Sequence, residues 1–475
     1  MKKKEKEIKE EIGYLPDEEP PFLKLLLYAL QQVVVMFPAT VTVALITGFQ
    51  ISTTIFASGL ATICFILITK KKIPLYYGSS FAYLTAISSM VLVEGSTEQI
   101  QSFQSTGILP TELISYAQCG IIASGLVSII AGLLVKHFGK NAVERLLPAT
   151  ITGSTAMIIG LTLAGNALKD AAPNLNVEGA LASNWVWIVS LVTLSSTVLY
   201  SRYLKGFLGQ LPLLLGALTG CIVAGLISMI GDINLFRNIP DAALNAALWS
   251  SANGVLSIPA FSLPKWSWAA IVSIMPIAIA TIPESTAHIY QLDICVDDLA
   301  KKKKRQKKYG LNKLLHNNLI GDGICDMISG FVGGPAGTNY GENISTMAIT
   351  KVFSIKVLMV AGIIAMLISC FTPFIKLIYG IPLAVIGGLE IYLFGAIAAQ
   401  GIAIMIEKKV DMFNSKNIAV IACMMVIGIG GQYAFGGNIL FFGMNVPCVA
   451  GAAIFGIILN IILSIGNKGK DKIRD

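Results

Sequence analysis

The chain has 475 residues, of which 55% are hydrophobic and only 13% charged. A soluble domain carries roughly a quarter charged residues, so the composition indicates an integral membrane protein. Lys and Arg number 35 against 27 Asp and Glu, but the basic residues gather in short loops between apolar runs, where membrane topology needs them, and no nucleic-acid partner is expected.

Residues 1–21, MKKKEKEIKEEIGYLPDEEPP, are too polar and too long for a signal-peptide n-region and read as a solvated cytoplasmic tail. Apolar segments of spanning length then recur about 14 times, and their lack of alternation favours helices over a barrel. In the first half they cover 22–48, 52–69, 79–94, 112–135, 144–166, 184–201 and 207–231. In the second half they cover 267–290, 311–332, 338–353, 355–373, 381–405, 416–433 and 440–464. Residues 467–475 read as a second cytoplasmic tail.

Walking this order with the N-terminus inside places KKK (70–72), KHFGKNAVER (136–145), SRYLK (201–205), KKKKRQKK (301–308), Lys351 and EKKVD (407–411) on one side. The opposite loops, such as 95–111, 167–183 and 232–265, are poor in Lys and Arg. The expectation is a multi-pass protein of the plasma (inner) membrane with both termini cytoplasmic. KKKKRQKK is then a topology anchor.

The 8 cysteines are scattered, with Cys64, Cys119, Cys221, Cys370 and Cys423 inside apolar spans and no CxxC or Cys/His ligand spacing. They read as small buried hydrophobes, and neither metal nor cofactor is expected.

An even span count permits two halves of inverted topology. YYGSSFAYLTAI (76–87) opens the third span and NYGENISTMAIT (339–350) the tenth; each begins with Tyr-Gly, then polar residues, then an apolar run. Broken backbone at membrane depth is tolerated only where it lines a cavity inside the protein, so this pair marks a central site. The expected class is an all-α polytopic membrane protein, a 7+7 inverted repeat.

Charged residues inside spans are expensive and mark function. Glu284 and His288 in ATIPESTAHIYQL lie one helical turn apart on one face, just after Pro283. Glu342 follows the Tyr340-Gly341 break, near a helix start whose free N–H groups favour anions. His288 is a packed core histidine or, beside an intramembrane acid, a proton carrier. His137 and His316 lie in or near loops and read as incidental. Asp322 in GDGICD, with Asp326 nearby, reads first as a structural acceptor. Glu390 in GGLEIYLFG has no partner visible in the sequence.

These stretches resemble the nucleobase–ascorbate transporter family over nearly the full length. GGPAGTNYGENISTMAITKV resembles its tenth-span signature through Glu342, Asn343, Thr350 and Lys351, and PESTAHIYQL its eighth-span motif. YYGSSFAYL, LQQVVVMFPATVTV and FSLPKW (261–266) resemble its third-span, first-span and pre-eighth-span stretches. The resemblance implies short strands at the starts of segments 3 and 10. It also implies a core domain over 22–140 and 266–375 and a gate domain over 141–265 and 376–466. Family members are dimeric proton symporters, so a homodimer is expected. By the resemblance Glu284 and Glu342 hold a nucleobase, with Ser80 beside them and backbone from Phe81, Tyr340 and Gly341. Ala39 packs against the base, Phe394 faces it from the gate, and His288 joins Glu284 in proton coupling.

Departures stand out. Gln32 replaces a usual histidine, Pro38 and Ser345 replace glycines, Ala287 replaces a glycine before the eighth-span His, and Glu390 occupies a usually small, uncharged position.

The chemistry of the residues agrees with uracil. Its ring alternates N–H donors and C=O acceptors; carboxylates accept from ring N–H, and free amides at broken helices donate to carbonyl oxygens. A neutral ligand needs no Arg or Lys. An acid at 342 suits uracil, whereas similar purine transporters often carry Gln there, and a xanthine or guanine carrier is the alternative. Two acids in one dry cavity repel, and a proton that neutralises one of them couples to ligand binding. Sodium coupling is less attractive. An anion exchanger of the same architecture would want a basic residue at the breaks, an enzyme would want a nucleophile or metal set, and a channel gives no reason for paired acids.

Overall fold

Unbroken runs of Leu, Ile, Val, Ala and Phe leave the backbone no partner in lipid except itself, and each run closes its hydrogen bonds along a helix. The computed structural model describes residues 13–139, 147–174, 183–231, 233–237, 254–305, 309–442 and 444–465. Residues 1–12, the tail 467–475 and parts of the loops named above lie outside them.

The first half runs α1 (Phe22–Thr47), α2 (Ile51–Ile68), strand β1 (Tyr77–Ser79), a 3-10 turn (Phe81–Tyr83) and α3 (Leu84–Glu94). It continues with α4 (Thr97–Thr106), α5 (Thr111–Phe138), α6 (Ala149–Ala171), α7 (Trp185–Tyr203) and α8 (Pro212–Gly231). The second half opens with α9 (Trp268–Ile274), a 3-10 turn at Met275–Ile277 and α10 (Ala278–Lys302). Then come α11 (Leu315–Val332), β2 (Gly337–Asn339), α12 (Gly341–Thr350), α13 (Ile355–Ser369) and α14 (Thr372–Tyr379). It ends with α15 (Leu383–Glu407), α16 (Ser415–Met425), a wide turn at Val426–Gly430, α17 (Gly431–Phe435), a hairpin of β3 (Asn438–Phe441) and β4 (Met444–Pro447), and α18 (Cys448–Ser464).

Among the described residues, eight helical segments are long and apolar enough to cross a membrane. Shorter apolar helices occupy Phe81–Glu94, Ile355–Ser369 and Cys448–Ser464. The outer surface of α8 exposes Leu218, Ile222, Leu226, Met229 and Ile230, a face suited to lipid rather than water.

Several boundaries differ from the sequence reading. α10 runs to Lys302, well past 290, because Leu292, Val296, Leu299 and Ala300 continue its buried face at helical spacing. The span assigned to 440–464 begins as a hairpin and becomes helical only at Cys448, after Pro447. The tail is not solvated throughout: Tyr14 and Leu15 are buried.

Three helix pairs build the interior: α5 along α11, α2 along α13, and α6 along α15. Each pair joins a first-half helix to a second-half helix, and each closes on facing glycines. A Cβ on Gly125 would lie 2.4 Å from the Gly323 carbonyl oxygen, one on Gly59 2.4 Å from that of Gly362, and one on Gly153 2.7 Å from that of Gly401. Strands β1 and β2 pair antiparallel between the halves, Tyr77 opposite Asn339 and Ser79 opposite Gly337. Gly78 is required at that crossing, since a Cβ there would stand 2.4 Å from the Tyr340 ring.

Candidate functional site

The paired strands place two breaks back to back, with α12 starting directly after β2. Gly341 and Glu342 lie in the first turn of α12. α10 packs against β2 and α12 and brings Glu284 within electrostatic reach of Glu342. Glu284 and His288 are half-buried and Glu342 is accessible, although protein surrounds all three. None of the three is fully closed off within that surround. His288 lies close to the Asn339 backbone, and its Nδ1 has no partner. Its ring closes on α12: a Cβ on Gly341 would sit 2.9 Å from His288 Nε2. Glu284, His288, Gly341 and Glu342 therefore share one place.

The other expected site residues divide between shaping and lining. Ser80 Oγ accepts from the Ala82 amide at 3.3 Å, and the Ser80 amide donates to the Ala336 carbonyl at 3.0 Å. Tyr340 donates its amide to the Tyr76 carbonyl at 2.9 Å and its hydroxyl to the Ser79 carbonyl at 2.9 Å, and the hydroxyl also bonds that of Thr40. With both Tyr340 donors spent on the strand crossing, a ligand approaching this segment meets Gly341 and Glu342. Phe81 is half-buried and packs against both large apolar clusters, one containing Ala39 and the other Phe394. Ala39 and Phe394 are themselves buried.

Other contacts escape sequence reasoning because each joins residues far apart in the chain. Gln32, standing where a histidine is usual, accepts from Asn343 Nδ2 through its side-chain oxygen at 2.7 Å and its carbonyl at 3.0 Å. It fixes the residue next to Glu342. Asp322 accepts from Ser285 Oγ on α10 and from Asn339 Nδ2 at 2.5 Å, while Asn318 donates to Ser285 Oγ at 2.8 Å. Asp326 accepts from the Tyr77 hydroxyl and from the Gly337 amide at 2.8 Å. Both aspartates hold the strand crossing from behind, in line with the structural reading of their spacing. Glu390 has a neighbour after all: its carboxyl lies beside that of Asp170 on α6, with Arg237 close to Asp170, and its Oε2 has no hydrogen-bond partner. Among the described residues no group of three or more His, Cys, Asp or Glu is arranged to hold a metal ion.

Comparison with known proteins follows the same lines. The chain matches the permease family Xan_ur_permease over residues 23–437. It is 32% identical over 450 residues to the putative pyrimidine permease RutG of Escherichia coli (strain K12), covering 94% of this chain and 91% of that protein. It is 33% identical over 437 residues to the uracil permease of Bacillus caldolyticus, covering 92% and 91% of the two chains. The uracil permease of Paenibacillus larvae subsp. larvae is 32% identical over 449 residues, covering 94% and 96%.

Among solved structures, SLC26A9 superposes with a TM-score of 0.61 at 12% identity, covering 94% of this chain and 66% of that one. The transmembrane domain of the cyanobacterial bicarbonate transporter BicA gives 0.55 at 13% identity, covering 92% and 96%. At such identities the likeness is one of fold. The apolar helices, the cross-paired breaks and the match over most of the sequence lead to one conclusion: the chain belongs to the permease family, an integral membrane transporter and not an enzyme.

Proposed function

We propose that the protein takes up uracil across the plasma membrane together with a proton, by alternating access. The observation that carries this is the meeting of Glu284 and Glu342 beside the start of α12, where among the described residues neither acid forms a salt bridge. Ionised carboxylates accept from ring N–H groups, and the first turn of α12 offers amide donors to ring carbonyls. The names of the curated relatives support a pyrimidine over a purine.

Two facing acids repel, and a proton that neutralises the pair lets the loaded site cross a low-dielectric barrier. His288, beside Gly341 and one turn from Glu284, is the group proposed to pass that proton.

The same reading takes the chain as about 14 spans in two inverted halves. The helix pairs support it: a two-fold that exchanges the halves turns the α2–α13 contact into the α5–α11 contact and returns α6–α15 to itself. Spans 1–4 and 8–11 then form the moving core domain and the remainder the gate, in a homodimer with both termini cytoplasmic.

Radiolabelled uracil uptake into proteoliposomes tests the proposal. Accumulation should follow an imposed acid-outside gradient and be indifferent to sodium. Accumulation of xanthine in place of uracil, or driving by sodium alone, would overturn it.

A further inference from the structure

Residues 13–19 are fastened to the protein at the end where α10 and α12 finish. Tyr14 pairs in parallel with Val352: its amide donates to the Lys351 carbonyl at 2.8 Å and its carbonyl accepts from the Phe353 amide at 2.7 Å. The Pro16 carbonyl accepts from the Ile355 amide at 3.2 Å. Gly13, at φ +123°, lies so close that a Cβ there would be 2.3 Å from the Lys351 carbonyl oxygen. The Glu18 carboxylate accepts from Lys303 Nζ, from Arg305 Nη2 at 2.8 Å and from the Leu15 amide at 2.9 Å. Lys303 is only 8% exposed; its Nζ also donates to the Gly13 carbonyl at 2.7 Å and stands 5.8 Å from the Tyr14 ring centroid. The Tyr309 hydroxyl donates to Asp17.

The anchoring points are specific. Lys303 is the residue that caps α10, the helix of Glu284 and His288, and Lys351 caps α12, the helix of Glu342. α12 is short, with Glu342 about 13 Å from Lys351 at 1.5 Å per residue. Its front end is set by the strand crossing, its far end by Tyr14. A shift at Lys351 therefore reaches Glu342 along one stiff lever.

We propose that residues 13–19 are a positioning clamp for the binding site, holding α10 and α12 so that Glu284 and Glu342 keep the separation a ligand requires. This rests on the reading that those two acids hold uracil. Glu18→Gln removes the anion that compensates buried Lys303, while Gly13→Ala pushes the strand pairing apart and leaves both charges of the ion pair present.

Equilibrium binding of radiolabelled uracil to the purified full chain reads the effect, alongside melting of the uracil-free protein. Both variants should weaken binding by roughly tenfold, within the range that a small misplacement of a contact group costs, and should melt lower than the parent because buried Lys303 loses its anion or Gly13 is strained, while the uracil-free protein still folds. Glu18→Asp, which keeps the charge, should restore much of the loss. Lys356→Gln, which breaks only the exposed Lys356–Glu19 pair, should bind as the parent does.

Parent-like affinity in both Glu18→Gln and Gly13→Ala would overturn the clamp. Failure of both to give folded protein would overturn it as well, because the segment would then be a folding element. Glu284→Gln, measured in parallel, separates the two readings. If it loses binding while the clamp variants keep it, the clamp alone is wrong; if it binds normally, the site reading and the clamp fall together.

Discussion

A carboxylate and an amide of the same shape differ by one donor, and that difference makes the two site glutamates separable. Glu284→Gln replaces charge-assisted hydrogen bonds to ring N–H groups by weaker neutral ones, a loss of about 2–4 kcal/mol, or tens- to a thousand-fold in affinity. Uracil binding to the purified variant measures it directly; near-parental affinity would remove Glu284 from the site. Glu342→Gln presents a donor where only an acceptor stood, so weaker uracil transport should come with better competition by purine bases in a nucleobase panel. An unchanged panel would mean that position 342 does not read the ring. His288 is proposed to pass the proton while the two carboxylates hold the ring, so His288→Ala should damage gradient-driven uptake more than uracil counterflow. Equal loss of both modes would assign it to binding or folding.

Helices in this protein meet through absent side chains, and the cost of adding one back is measurable. Gly323→Val would press a branched side chain against the Gly125 carbonyl oxygen, which a Cβ at 323 already approaches to 2.3 Å. Overpacking of this kind costs about 1–3 kcal/mol, so the purified variant should melt distinctly lower than the parent. Gly165→Val, at a position with nothing within 4 Å, is the control. The clamp is an element of a different kind. Burial works to raise the Glu18 carboxyl, but hydrogen bonds from Lys303, Arg305 and the Leu15 amide outweigh it and hold Glu18 below the ordinary 4.5. A group depressed in the folded state stabilises above its unfolded value and ceases to do so as pH falls through the folded one. The clamp should thus remain closed throughout the neutral range and release only in acid, which the anisotropy of a label on Glu19→Cys would follow.

What the sequence made legible at this scale was the breaks themselves. Tyr-Gly before a polar pair announces an interrupted span, and an acid alone among apolar residues announces a site. Partners were not legible, because Glu390 meets Asp170, Gln32 meets Asn343, and Asp326 meets Tyr77 across the two halves of the chain. The segment at 13–19 was hidden for another reason: Asp17, Glu18 and Glu19 look solvated until Tyr309 meets Asp17, Lys303 and Arg305 meet Glu18, and Lys356 meets Glu19.

The whole molecule is interleaved rather than built half beside half, and that has a consequence for its synthesis. Ser79 and the Tyr340 hydroxyl that bonds its carbonyl are 261 residues apart, and the glycine faces of α2, α5 and α6 find their counterparts only on second-half helices. At a translation rate of 5–20 residues per second, the first half waits roughly 10–50 s for its counterpart. During that wait β1 offers an unpaired edge, an expensive condition in a medium without water. A ribosome-stalled chain ending near 330 should therefore be engaged by membrane chaperones and yield to protease at Tyr77–Ser79, while one ending far enough past Ser369 for β2, α12 and α13 to have left the ribosome should resist. Protection that arises before β2 has been made would show that the first half finds a temporary fold of its own.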